Sequence, residues 1–398
     1  MDKKPEKLVP EVRFKGFTDD WEQHKLGEIS FKVNTKNKEN LTLPVLSNSA
    51  EYGIVNQEDY FDKKIANRTD NYYIVKHNDF VYNPRISKKA PYGPIRRNTL
   101  DTKGLMSPLY YVFRINDGNY IYLDYYFKSS KWYKFMYQNG DSGARSDRFA
   151  IKDKIFQMMP ISMPNTKEQN KIGQLIQTLQ KLIDLQQRKL KQLKQLKTAM
   201  LQQLFVDKNN KQPNLRFKNF KGDWEQQRLK EVAQVTMGQS PSSRNYTNNP
   251  NDYVLVQGNT DLKSNKISPR IWTKEITKQV RKGEFIMTVR APVGYLAMAN
   301  MDAVIGRGVA AIDGNKYLYY LLQTKLLDRT WEKLSSGSTF ESISSNDIKN
   351  LEIKVTENEE EKLIAKLMDT VTFLLNLWQS KIEQLTIFKK YLLQKLFI

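Results

Sequence analysis

Two stretches of this 398-residue chain copy each other at a fixed offset, and that repeat limits the fold more than any other feature. Pro10 to Ser30 reads PEVRFKGFTDDWEQHKLGEIS and Pro213 to Ala233 reads PNLRFKNFKGDWEQQRLKEVA, identical at eleven of 21 positions at an offset of 203. Phe14/Phe217, Phe17/Phe220 and Trp21/Trp224 fall in register. Such aromatics either pack at the opening of each domain or stack on bases; a Trp beside an amphipathic start more often packs. A second echo lies further on. Gln169 to Phe205 and Glu361 to Phe397 are rich in Leu, Lys and Gln, contain no Pro, and hold only one Gly, at position 173. These are strong helix formers. Apolar residues recur at helical spacing at Ile172, Leu175, Leu179, Leu182, Leu193, Leu196, Met200 and Leu204. An offset of 192 carries them onto Ile364, Leu367, Val371, Leu374, Leu385, Phe388, Leu392 and Leu396. Two matching stripes predict long helices packed on each other, each ~57 Å long at 1.5 Å per residue.

Between these segments the halves diverge. Residues 31–165 and 234–358 differ at most positions, and each carries short β-type runs, such as Tyr73–Val75, Leu109–Phe113, Tyr253–Val256, Phe285–Val289 and Gly308–Ile312, broken by Gly, Pro, Asn and Asp. A few marks still correspond: Ala90–Gly93 (APYG) with Ala291–Gly294 (APVG), Arg85 with Arg290, and Gly140–Arg145 with Ser335–Phe340. The order is variable α+β globule, conserved long helix, variable globule, conserved long helix, with boundaries at 1–165, 166–206, 207–358 and 359–398.

Charge narrows the partner. Lys and Arg total 64 against 43 Asp and Glu, a formal balance of +21. That surplus attracts polyanions, because each phosphate contact releases counterions. There is no Cys, and the only His residues are His24 and His77, so a metal centre is not expected. The charged start Met1–Lys7 leads into no apolar run and no stretch approaches the ~20 apolar residues of a membrane span, so a cytoplasmic protein without membrane contact is expected.

In this order and spacing the marks carry a resemblance. The tandem layout, the paired helices, FKGFTDDWEQHKLGEI with its copy, MTVRAPVGYLAMAN followed by IGRGVAAI, and GSTFESIS together resemble the specificity (S) subunit of type I restriction–modification systems over essentially the whole chain. The resemblance implies an α+β chain with two pseudo-repeated globular target-recognition domains separated by two long α-helices packed as an antiparallel coiled coil. Each domain would read one half of a split double-stranded DNA site, the two facing the duplex in inverted orientation, with the helices as ruler. It implies two methyltransferase (M) subunits as partners and two restriction (R) subunits in the full enzyme. S-adenosylmethionine, ATP and Mg are then expected on those partners, with no cofactor bound by this chain and no catalysis by it alone.

Reading bases requires hydrogen-bonding side chains in the major groove: Arg or Lys toward guanine, Asn or Gln toward adenine. The candidates are Arg85, Lys88, Lys89, Arg96, Arg97, Arg145 and Arg148 in the first globule, and Arg244, Asn245, Lys263, Lys266, Arg290 and Arg307 in the second. Each alternatively contacts phosphate or is a solvated charge, and Arg290 and Arg307, in phrases common to the family, suit fold maintenance or phosphate binding. Tyr92, Tyr246 and Tyr295 stack on bases or pack inside. Lys181, Arg188, Lys189, Lys191, Lys194 and Lys197 crowd the first helix, either as a solvated face or as a surface steering DNA and partners. Asn83-Pro84-Arg85-Ile86 lacks the second Pro and the aromatic of an adenine-methyltransferase motif, and no phosphate loop is present. The competing readings are a self-contained DNA-modifying enzyme with unrecognised motifs and a coiled-coil adaptor binding RNA or protein.

Overall fold

The computed structural model describes residues 8–62, 68–142, 147–206, 210–335 and 342–398. Arg145, with half of the Gly140–Arg145 phrase and all but the first residue of the Ser335–Phe340 phrase, lies outside the described residues. The chain forms two compact units, one of residues 1–187 with 380–398 and one of residues 188–379.

In the first unit, Glu22–Lys25 pairs antiparallel with Pro160–Met163, so the start and end of the globule are tied together. The backbone N–H of Trp21 bonds Leu8 O at 2.8 Å, and that of Leu26 bonds Met159 O at 2.8 Å. A four-residue helix, Leu26–Ile29, follows, and the N–H of its cap residue Lys25 donates to the Glu28 carboxylate at 2.8 Å. Two four-stranded sheets make up the body. One has the order Ser30–Lys32, Tyr111–Ile115, Phe80–Tyr82, Ile95–Arg97; the other Gly53–Asn56, Val45–Ser49, Gly104–Met106, Tyr73–Val75. Pairing is antiparallel except between Val45–Ser49 and Gly104–Met106. Trp21, Tyr122, Phe113, Phe127, Trp132 and Phe156 fill the core. The helix Tyr120–Lys128, capped by the Asn119 side chain on Ile121 N and Tyr122 N, lies over this core.

The second unit repeats the frame. Glu225–Arg228 pairs with Glu352–Val355, Trp224 N bonds Lys211 O at 2.9 Å and Leu229 N bonds Leu351 O at 3.0 Å, and Glu231 accepts from Arg228 N at 2.8 Å. Its sheets have six and five strands, with two parallel pairs, Tyr253–Val256 with Ala303–Ile305 and Lys266–Ile267 with Leu296–Met298. The helix Lys316–Leu327 is capped by Asn315, as its counterpart is by Asn119. Trp21 meets Tyr122 at 6.1 Å between ring centroids and Trp224 meets Tyr317 at 5.8 Å, edge to face in both. Burial thus settles the two Trp residues as core.

The same ion pair closes both frames. Arg13 grips Glu168 through two 2.8 Å bonds, and Arg216 grips Glu360 through two of the same length. Both carboxylates are buried, and each sits near the start of a long helix, where the exposed N–H groups favour negative charge.

The long helices run Thr166–Leu204 and Asn358–Lys395, 39 and 38 residues. Each unit holds part of both. In the first unit, Gly173 sits against Ile121 and Tyr122, Tyr122 packs on Phe397 at 5.3 Å, and Lys389 donates to Gln180. The end of the second helix therefore lies by the start of the first, and the two run antiparallel. In the second unit, Phe205 stacks on Tyr317 at 5.3 Å, while Tyr320, beside Lys197, donates to Asp369 at 2.7 Å; the sense is again antiparallel.

The inward stripe alternates by three and four: Ile172, Ile176, Leu179, Ile183, Gln186, Leu190, Leu193, Lys197, Met200, Leu204, all buried or half-buried. Adding 192 gives Ile364, Met368, Val371, Leu375, Trp378, Ile382, Leu385, Lys389, Leu392, Leu396, buried or half-buried likewise. This is the 3.5-residue period of a coiled coil. Of the sequence-derived seam, Ile172, Leu204, Ile364, Val371, Leu392 and Leu396 are buried, and Leu175, Leu179, Leu182, Leu193, Met200, Leu367, Leu374 and Leu385 half-buried. Leu196 and Phe388 are 47% and 48% exposed.

Candidate nucleic-acid interface

In the second unit Arg290 and Arg307 lie just beyond one end of two paired strands of the six-stranded sheet. Strands Phe285–Thr288 and Val309–Asp313 pair with Thr288 opposite Val309, and Val289 N bonds Gly308 O at 2.9 Å. Arg290 and Arg307 extend the two strands by one further residue, and both are exposed. Arg290 also bridges through its backbone to Ser342. Arg307 N donates to Ser240 Oγ at 3.1 Å, which brings in the loop carrying Arg244 and Asn245. That loop is stiffened by Glu275, which accepts from Ser242 N at 2.8 Å and from Asn245 Nδ2 at 2.7 Å. These hydrogen bonds, with Arg244 nearby, hold the Glu275 carboxyl below the usual range. The loop can approach because Gly238 has no side chain: a Cβ there would stand 2.1 Å from Gly306 O.

Lys263 and Lys266 face each other across a tight hairpin, both exposed, with Ser264 and Asn265 at φ of 49° and 59°. Asn265 Oδ1 accepts from the Tyr295 hydroxyl at 3.0 Å, tying the hairpin to the turn after Arg290. Tyr295 is thus a strut. Tyr246, which accepts from Gln257 Nε2 at 2.8 Å, is another.

The first unit is arranged differently. Arg85 and Arg148 are exposed and lie opposite each other in a short antiparallel bridge, fixed by Ile86 N to Asp147 O at 2.9 Å and Phe149 N to Pro84 O at 2.8 Å. Beside Arg148 opens a cleft of about 1030 Å³ lined by Tyr82, Tyr111, Phe149, Phe156 and Lys32 among others. Lys88 and Lys89 project from the Ser87–Ala90 turn, Lys89 pairing with Glu51 at 2.8 Å.

Arg96 and Arg97 face inward. Arg96 donates to Ala50 O at 2.8 Å and Ile95 O at 2.9 Å, and burial lowers its guanidinium from the usual range. Arg97 donates to Asn78 Oδ1 at 2.6 Å and lies 3.7 Å from Asp124. Both side chains brace the strand Ile95–Arg97 rather than extend into solvent. Tyr92 packs edge-on against Tyr133 and Phe149, each at 5.2 Å. On the first long helix Lys181, Arg188, Lys189, Lys191 and Lys194 are exposed, while Lys197 is half-buried.

Sequence reasoning passed over the Arg13–Glu168 and Arg216–Glu360 pairs, although the signal was present: the arginines repeat at offset 203 and the glutamates at 192. Among the described residues no three His, Asp or Glu side chains gather as metal ligands do, and no helix is long and apolar enough to cross a membrane.

The sequence pattern of the type I restriction modification DNA specificity domain matches this chain twice, at residues 18–195 and 221–386. A specificity-subunit chain named for the type I restriction enzyme MjaX, from Methanocaldococcus jannaschii, is 25% identical over 287 residues, 69% of this chain and 66% of the relative. The MjaIX specificity subunit of the same organism is 28% identical over 186 residues, 43% of this chain and 42% of the relative. The matches thus span less than two thirds of the length of these relatives. The fold is similar to a chain from a study of complex assembly and conformational transition in the type I R-M system, with TM-score 0.61, 21% identity, and 95% and 97% of the two chains covered. It is also similar to the S subunit of a type I restriction-modification system from M. genitalium, with TM-score 0.60, 14% identity, and 98% and 99% covered. The duplicated frame, the divergent basic loops it carries and these matches lead to one conclusion: the chain belongs to the type I restriction–modification DNA specificity family and carries the specificity domain twice.

Proposed function

We propose that this chain reads a bipartite double-stranded DNA site, one globule per half-site, and directs adenine methylation or restriction by partner subunits. Residues 1–165 and 207–358 are the readers, and 166–206 and 359–398 form the spacer that holds them. The observation that carries this reading is the contrast within each unit. The frame repeats its Arg–Glu pair, its Trp–Tyr contact and its tied opening strand, whereas the exposed cations sit on loops that differ between the units. One scaffold used twice with different loops suits one task performed on two targets. Half-sites about one helical turn apart, roughly 34–36 Å between centres, lie on one face of the duplex.

Within this reading Arg85, Lys88, Lys89 and Arg148, and Arg244, Asn245, Lys263, Lys266, Arg290 and Arg307, contact bases or phosphates, while Arg96 and Arg97 hold the reading surface in shape. Two M subunits and, in the complete enzyme, two R subunits carry S-adenosylmethionine, ATP and Mg and perform the chemistry in the cytoplasm; this chain supplies the address. The test is nuclease protection by the complex with its methyltransferase. Two short protected blocks separated by an accessible spacer are expected. One continuous or single block contradicts the division of labour. Tight S-adenosylmethionine binding by the chain without partners would favour the self-contained enzyme.

A further inference from the structure

The far end of each long helix docks on a globule through the same four side chains. In the first unit Phe397 packs on Tyr122 with centroids 5.3 Å apart, and Lys389 Nζ lies 5.8 Å from the Tyr125 ring centroid. In the second unit Phe205 packs on Tyr317 at 5.3 Å, and Lys197 Nζ lies 5.6 Å from the Tyr320 ring centroid. The helix residues repeat at offset 192 and the tyrosines at 195. In each globule the two tyrosines are three apart on one helix, Tyr120–Lys128 or Lys316–Leu327, and so share a face.

The lysines occupy seam positions. Lys197 falls between Leu193 and Met200, and Lys389 between Leu385 and Leu392, in the alternation of three and four that is otherwise mostly apolar. Both ammonium groups are drawn below the usual lysine range, first by burial; for Lys389, Lys128 lowers it further, while Asp184 and Asp124 raise it. A Leu or Met would fill such a position with less desolvation. A polar residue at one seam position of a coiled coil lowers stability and selects a single register. Here one register alone sets both cations over tyrosine faces, an arrangement favoured by the ring quadrupole. Sliding by one heptad would put Lys197 where Leu190 or Leu204 now sits and Lys389 where Ile382 or Leu396 sits.

We propose that Lys197 and Lys389 are positioning residues that fix the register of each helix on the globule at its far end, and so fix which spacer length the two readers accept. This inference rests on the bipartite reading above. A slip of one heptad moves a helix by about 10.5 Å, which is about three base pairs at 3.4 Å each. The test expresses the full chain with its methyltransferase and maps methylated sites genome-wide, for wild type, K197M/K389M and K197R/K389R, alongside thermal unfolding of each complex.

Wild type is expected to modify one spacer length. The Met variant should melt at the same temperature or higher, while its share of modified sites with other spacers rises roughly tenfold, the scale of two lost cation–ring contacts. The Arg variant, which keeps a cation over each ring, should return to one spacer. A Met variant that keeps one spacer, or that melts lower without rescue by Arg, overturns the proposal and reduces the lysines to packing. Absence of any bipartite motif in wild type would instead strike the DNA reading itself, so the two failures are distinct.

Discussion

The two units share an ion pair, a Trp–Tyr contact, a tied opening strand and a helix dock, yet their sheets differ: four and four strands in one, six and five in the other. The shared features lie where the long helices meet the globule. The differing ones carry the exposed cations. Residues that fix a globule to a helix answer to the same geometry twice, whereas loops that touch a ligand answer to whatever each unit must recognise. On the proposed reading, the difference between the halves marks the loops that would set specificity.

The ion pairs give the largest expected effects and already break the symmetry. Glu360 also accepts from Trp224 Nε1 at 3.2 Å and Thr356 Oγ1 at 2.6 Å, whereas Trp21 Nε1 is buried without a partner. R13A should therefore destabilise the first unit by about 3–5 kcal/mol, the scale for stranding a buried charge, and R216A should destabilise the second unit by less. Denaturant unfolding of each variant measures both; equal losses would mean that the extra donors to Glu360 contribute little.

The matching turns come next. Gly93 and Gly294 both have positive φ, 80° and 85°, but an added Cβ meets Asn83 O at 2.0 Å in one and the Trp331 ring at 2.3 Å in the other. A backbone carbonyl gives way less readily than a side chain. G93A should lose about 2–4 kcal/mol and G294A less, as read by thermal melts.

Acid separates two neighbouring carboxylates. Burial alone raises Glu360, but the Arg216 fork, Thr356 and Trp224 hold it below the usual range; burial raises Glu361. Glu360 therefore contributes stability above the ordinary carboxylate value, near pH 4.3, and loses it as pH falls through its lower folded value. Glu361 contributes in the opposite sense, its stabilisation growing as pH falls through its raised value. E360Q should flatten the acid limb of the stability profile. E361Q should shift neutral-pH stability by under about 1 kcal/mol, the smallest effect here.

Much of this was legible in the sequence because framework geometry imposes repetition. The 203 offset marked the opening strands and Trp21/Trp224; the 192 offset marked both helices. The stripe itself was harder to draw. Leu196 and Phe388 are apolar yet exposed, while Lys197 and Lys389 beside them face inward, so hydrophobicity alone pointed one position away. Ile176, Ile183 and Leu190 join the seam once the period is taken as 3.5 rather than 3.6. The basic candidates were read by residue type, which cannot distinguish a cation facing solvent, such as Arg85, from one bracing a strand, such as Arg96. That distinction depends on strand alternation and on remote acceptors such as Ala50 O.

The central claim is that each half of the recognised site belongs to one globule. The direct measurement replaces residues 31–165 with the corresponding segment of a relative of different specificity, leaves both helices intact, and maps the methylated motif in a host carrying the matching methyltransferase. A motif altered in one half, with the other half and the spacer unchanged, is the predicted result. Change in both halves, or in the half assigned to residues 207–358, would contradict it.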